Sequence, residues 1–148
     1  MRDGFTGSPS AIVAKLIENA GYGPWRYSDA WAKKVFYDAR SRATMKSRDF
    51  SLALDDLKLL AEKSRGACAL TRLPFIVARD PRYDRANPFT PSLDRVDSSL
   101  GYTPENIRLI CLCVNIALSN WGEGVFSLMA KGYVKALMDH PAVSPEMT

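Results

Sequence analysis

The segment 91–115, PSLDRVDSSLGYTPENIRLICLCVN, constrains the fold more than any other part of the chain. Residues 92–96 and 107–111 are short runs of strand character, and the second is almost continuously apolar. The connection 97–106 is polar and carries Gly101 and Pro104, which suits a long hairpin loop. Gly101 is expected to supply a positive φ, and Tyr102 to pack beneath the loop. A helix is expected from Leu112 to about Asn120. Asp94 then ends the first strand, Asn106 closes the loop, and Asn115 lies early in the helix. A hairpin packed on the helix that follows it brings Asp94 and Asn115 together. A plain β-hairpin with a polar turn would account for each feature singly, but the ordered set Leu-Asp-Arg-x-Asp, Gly-Tyr-x-x-x-Asn, apolar strand, Asn is much harder to reach by chance.

This layout resembles the HNH (ββα-metal) nucleases, most strongly over 92–115 and more loosely over about 36–138. Ala39-Arg40-Ser41-Arg42-Ala43, the turn at Phe50-Ser51-Leu52, and Cys68-Ala69-Leu70-Thr71 look like the flank common in phage-type members. The resemblance implies an α+β fold, mainly helical, in which a hairpin–helix nuclease motif follows an N-terminal helical region. It implies hydrolysis of DNA phosphodiesters with one divalent cation, magnesium or manganese. Asp94 and Asn115 would be the metal ligands, an oxygen pair of the kind a hard cation takes. Asn106 matches the family's middle asparagine, whose side chain pins the loop. Asp94, Arg95, Asp97 and Asn106 are the candidate catalytic set. The family's general base is a histidine at the position of Arg95. Arginine keeps its proton at neutral pH and cannot serve as that base. Three readings follow. Arg95 holds the scissile phosphate or stabilises transition-state charge while Asp97 or solvent takes the proton. Alternatively, metal-bound water needs no dedicated base. Otherwise catalysis is lost and an HNH-fold DNA-binding protein remains.

Composition narrows the class. A chain of 148 residues with 47% apolar and 24% charged residues can bury one real core and is not of a disordered type. No apolar run is long enough to span a bilayer, and the N-terminus lacks the apolar core of a signal peptide, so no membrane and a cytoplasmic location are expected. Three cysteines make no paired framework. The net charge of +4 lies in the first part of the chain: residues 1–66 carry 12 Lys/Arg against 8 Asp/Glu, whereas residues 67–148 carry 8 of each. Lys33, Lys34, Arg40, Arg42 and Lys46 lie on one predicted helix, with Arg48 just beyond. A solvated helix surface would explain them as well as a phosphate backbone does. Arg82 and Arg85 in the irregular stretch 79–91, and Arg108 on the second strand, are further candidate phosphate contacts.

The remaining elements follow from caps and periodicity. Ser8-Pro9 opens a first helix to about Ala20, and Gly21-Tyr22-Gly23-Pro24 breaks it. Ser28 caps a second helix with Trp31, Val35, Ala39 and Ala43 on one face. A third covers 54–64, with Leu54, Leu57, Leu60 and Ala61 sharing a face, Gly66 at its end, and Phe50 and Leu52 packed beneath. Short strand pieces are expected at 68–71 and 73–77. Val125, Leu128, Met129, Gly132, Tyr133, Ala136 and Leu137 follow helical spacing and are expected in the core. The expected organisation is thus a basic helical region over 1–66, an HNH-like core with a C-terminal helix over 67–140, and a loose tail over 141–148. His140 falls beyond the last helix, away from the candidate site.

Some HNH relatives hold a structural zinc between two Cys-x-x-Cys knuckles. The matching positions are Cys68, Thr71, Cys111 and Val114, with one cysteine left in each pair and Cys113 out of register. A closed zinc site takes four ligands, so none is expected, and Cys68 and Cys111 read as small buried hydrophobes. A third class of function, a protein–protein module, would use the last helix and Trp121.

Overall fold

The computed structural model describes residues 25–77 and 87–139. The first helix and breaker, Arg82, Arg85, His140 and the tail fall outside them. Among the described residues there are four α-helices and one two-stranded antiparallel sheet, a mixed α+β arrangement.

Helix α1 is Asp29–Met45. Ser28 caps it, its Oγ accepting from Trp31 N–H at 3.2 Å. Its buried side chains are Ala32, Ala39 and Ala43, small residues that let neighbouring segments approach closely. Helix α2 is Leu54–Ser64. Ala53 has no side-chain cap to offer, but the Asp56 carboxylate reaches back and accepts the Ala53 N–H at 2.7 Å. Leu57 and Ala61 are buried, while Leu54 is exposed. The helix ends through two consecutive left-handed residues, Arg65 at φ 52° and Gly66 at φ 74°.

The stretches 68–71 and 73–77, expected as strand pieces, make a closed turn with one isolated bridge, Ala67 to Pro74. Cys68 N–H donates to Leu73 C=O at 2.8 Å and Arg72 N–H to Cys68 C=O at 2.9 Å. Those donors are consumed locally and Pro74 has none, so no ladder can extend.

Strand β1 is Pro91–Arg95 and β2 is Ile107–Cys111. They pair antiparallel, with Leu93 opposite Leu109 and Asp94 opposite Arg108. Leu93 and Leu109 are both buried on one face, and a slip of one residue would put them on opposite faces. A short 3₁₀ turn, Pro104–Asn106, leads into β2. Helix α3, Leu112–Leu118, follows directly. Its first turn is held by Leu112 N–H to Thr90 C=O at 2.9 Å and Cys113 N–H to Pro88 C=O at 3.0 Å. The start of α3 is therefore tied to the chain entering β1. Helix α1 packs on α2 and β1, and α2 packs on β2. Between them lie Leu52, Leu57, Cys68, Phe75, Ile110 and Cys111, all buried. Phe50 is drawn the other way, its ring edge-on to Phe36 at 5.3 Å and tilted against Tyr102 at 6.1 Å.

The chain forms two compact units, Met1–Asn115 and Ile116–Thr148. In the second unit, α4 spans Gly122–Asp139, and none of its residues is buried. The stripe Val125, Leu128, Met129, Gly132, Tyr133, Ala136 and Leu137, expected as core, is not core here. Helical spacing identifies an apolar stripe but does not say what covers it. No helix among the described residues is long and apolar enough to cross a membrane.

Gly101 does not adopt a positive φ. It is glycine for steric reasons: an added Cβ would lie 2.2 Å from Asp49 O and 2.8 Å from Asp49 C. The close approach lets Tyr102 N–H donate to Asp49 C=O at 2.9 Å and Ser51 N–H donate to Tyr102 C=O at 3.0 Å. Gly101→Ala should therefore lift the loop off the segment joining α1 to α2 and cost about 3 kcal/mol, read as a lowered midpoint in urea unfolding.

Candidate functional site

The loop between β1 and β2 is organised by Asn106, which is buried. Its Oδ1 accepts the Asp97 N–H at 2.9 Å. Its Nδ2 donates to Asp97 C=O at 3.0 Å and to Gly101 C=O at 2.9 Å. Both amide protons and one acceptor site are thus spent on the backbone at either side of the loop. Val96 N–H donates to Asn106 C=O at 2.9 Å, closing the same clamp from the main chain. Each such bond adds on the order of 1 kcal/mol net, and a buried partner left unpaired costs more. Asn106 is a positioning residue.

Arg95, the last residue of β1, turns its side chain into this loop. One Nη1 donates to Ser98 C=O at 2.6 Å and Leu100 C=O at 2.7 Å. Its guanidinium also sits 5.3 Å from the Tyr102 ring centroid. Arg42 of α1 reaches the same ring from another direction, with Nε donating to Tyr102 Oη at 3.2 Å. The loop is thus tied to the basic helix through a tyrosine that touches two arginines. Asp97 Oδ1 accepts from Ser99 N–H at 2.8 Å and Ser99 O–H at 2.6 Å. The Ser99 bonds, with help from the Arg95 charge, hold the Asp97 carboxyl below its ordinary range and make it a weaker proton acceptor.

Asp94 and Ser92 point to one face of β1, by the alternation of the strand. Arg108 stands opposite Asp94 on β2, its Nε donating to Asp94 Oδ2 at 2.8 Å. Both side chains are mostly shielded, at 15% and 14% exposure. Asn115 reaches the same face from α3: its Nδ2 donates to Ser92 Oγ at 2.9 Å and to Leu93 C=O at 3.3 Å. With the amide nitrogen so engaged, Oδ1 is the end of the carboxamide left to act as an acceptor. The structure therefore brings Asp94, Asn115, Ser92 and Arg108 onto one face, and keeps Arg95, Asp97 and Asn106 in the loop beside it. Arg108, expected against phosphate, is paired with Asp94. Ser92 was not among the expected residues; the two-residue strand period places it on the Asp94 side and is the signal that finds it.

Of the expected DNA contacts on α1, Lys33, Arg40 and Lys46 are exposed, Lys34 pairs with Asp38 at 2.6 Å, and Arg42 lies against Tyr102. A carboxylate and a carboxamide oxygen are donors that suit a hard cation, which commonly keeps several waters besides one or two protein carboxylates. Among the described residues no group of three or more His, Cys, Asp or Glu side chains is placed to hold a metal.

Cys68 and Cys111 meet in the core, with Cys111 N–H donating to Cys68 Sγ at 3.3 Å. Contact between the two thiols pushes the pKa of Cys68 down and that of Cys111 up.

No family model, no curated protein and no solved structure matches the chain.

Cys68 and Cys111 are fully enclosed and Cys113 is exposed. A thiol reagent applied to the native protein should therefore label Cys113 quickly, and the other two only after unfolding. Mass mapping of the labelled peptides checks this.

Proposed function

We propose that the chain is a metal-dependent DNA endonuclease or nickase of HNH-like design, of phage or mobile-element type. The observation that carries this reading is the shared face of Asp94 and Asn115, one strand carboxylate and one helix carboxamide, beside a loop pinned by Asn106. The donor chemistry fits magnesium or manganese, and Asp94 and Asn115 would hold the ion. When bound, it supplies neutralisation of the charge that grows on the leaving oxygen of a phosphodiester.

The chain's own residues define the rest. Arg95 remains protonated and is held by the Ser98 and Leu100 carbonyls, so it acts as scaffold and as a fixed positive charge at the loop. Asp97, weakened as a base by Ser99, is a poor receiver for the proton of attacking water. The proton is released to solvent. Lys33, Arg40, Lys46 and Arg42 on α1 supply contacts to the DNA backbone, which steer and position without reading sequence.

On this reading the protein nicks supercoiled plasmid in magnesium or manganese, and chelation stops it. Asp94→Ala lowers the rate about 100-fold while the melting curve stays cooperative. Equal rates in Asp94→Ala and the parent would remove Asp94 from the mechanism.

One observation favours a second reading, DNA binding without cutting. The family's base position is occupied by an arginine whose guanidinium is already committed to two carbonyls. This reading expects salt-sensitive DNA binding with no nicking in any metal. It also expects Arg95→His to confer nicking on an otherwise silent protein, with agarose electrophoresis as the readout. If the parent protein already cuts, this second reading is discarded.

A further inference from the structure

We propose that Arg108 is a built-in counter-cation that occupies the Asp94 carboxylate and must be displaced before a divalent ion can bind there. The inference rests on the reading of Asp94 and Asn115 as a cation site. Three observations carry it. Asp94 and Arg108 are directly opposed by the strand register, so their pairing is imposed by the hairpin and is not a chance meeting of flexible surface chains. The contact is short, 2.8 Å from Nε to Oδ2, and both side chains are about six-sevenths shielded, at 14% and 15% exposure. The Asn115 carboxamide is anchored to Ser92 and Leu93 on the same face, so a cation bridging Asp94 and Asn115 would lie beside that guanidinium.

The physical consequence is a competition. A guanidinium donates into a carboxylate lone pair that a cation would use, and its charge repels a divalent ion at short range. Shielding from water strengthens both effects, because little solvent screens them. Arginine cannot relieve the conflict by losing a proton, so the side chain has to swing away. The phosphate of a bound nucleic acid is an anion that can take up the released guanidinium. Binding of the ion and of the DNA backbone would then support each other, each removing a cost from the other.

The test uses the full chain without DNA, and titrates manganese while recording the electron paramagnetic resonance signal of the free aquo ion. The parent protein, Arg108→Met, Arg108→Gln, Asp94→Asn and the double variant Arg108→Gln/Asp94→Asn are compared. Melting curves are recorded first; Arg108→Gln keeps a carboxamide that can still bond Asp94 if Arg108→Met does not fold. The expected result is a dissociation constant about tenfold lower, or better, in the Arg108 variants than in the parent. The gain should disappear in the double variant, which shows that the extra ion sits at Asp94. Arg108 variants that bind manganese as the parent does, or more weakly, with Asp94→Asn defective, would overturn the competition and leave the cation site standing. Arg108→Gln that binds no more manganese than Asp94→Asn would overturn both this inference and the metal-site reading beneath it.

Discussion

The Asn106 clamp is the interaction on which the candidate site depends. A connection as long and polar as 97–106 has no ladder of its own, and its backbone groups would otherwise be left to water. One buried carboxamide closes it by bonding Asp97 on one side and Gly101 on the other. Only an amide does this, because the clamp needs an acceptor for one N–H and donors for two carbonyls from the same planar group. A carboxylate of equal size would set oxygen against oxygen at two of the three contacts. With the loop closed, β1 and β2 are held in a register that places Asp94 opposite Arg108, and the chain passes straight into α3 with Asn115 over β1.

The second constraint is the seating of that loop on the helical part of the same unit. Gly101 brings backbone against backbone at Asp49, and Tyr102 bonds on both sides of Phe50. Tyr102 also links Arg95 of the loop and Arg42 of the basic helix. Its ring and hydroxyl give two like charges a common, partly apolar partner, and so let them approach one another without direct pairing. Arg42 of α1 is thereby held in a fixed relation to the hairpin loop.

Much of this was legible in the chain itself. Ser28 marks the start of α1, the apolar spacing marks α2, and the runs at 107–111 and 112–118 separate strand from helix by their position after the loop. The failures have physical causes. The stretches 68–71 and 73–77 have strand composition, yet the turn takes up the Cys68 and Arg72 donors and Pro74 has none, so only one isolated bridge forms. Gly101 looked like a glycine chosen for φ, because its alternative reason, the proximity of Asp49, is a tertiary fact. The apolar stripe of α4 is visible in the sequence while its covering is not. The pairing of Asp94 with Arg108 depends on register: strands taken as 92–96 and 107–111 place Asp94 opposite Leu109, and moving the first strand back to Pro91 places it opposite Arg108. Boundaries uncertain by one residue therefore decide which side chain neutralises the carboxylate, and because Leu109 and Ile110 are both buried, apolar patterning alone does not choose between the registers.

That single-residue shift changes the electrostatic character of the face. A carboxylate opposite leucine is open to a cation and holds it by charge alone. A carboxylate opposite arginine is already balanced, and adding a divalent ion leaves an excess of two positive charges on a shielded patch. Such a patch holds a metal poorly on its own and gains most when phosphates arrive to take up the surplus charge. On the proposed reading, a strand carboxylate already paired with Arg108 favours an ion that enters together with a polyanion over one resident in the free protein.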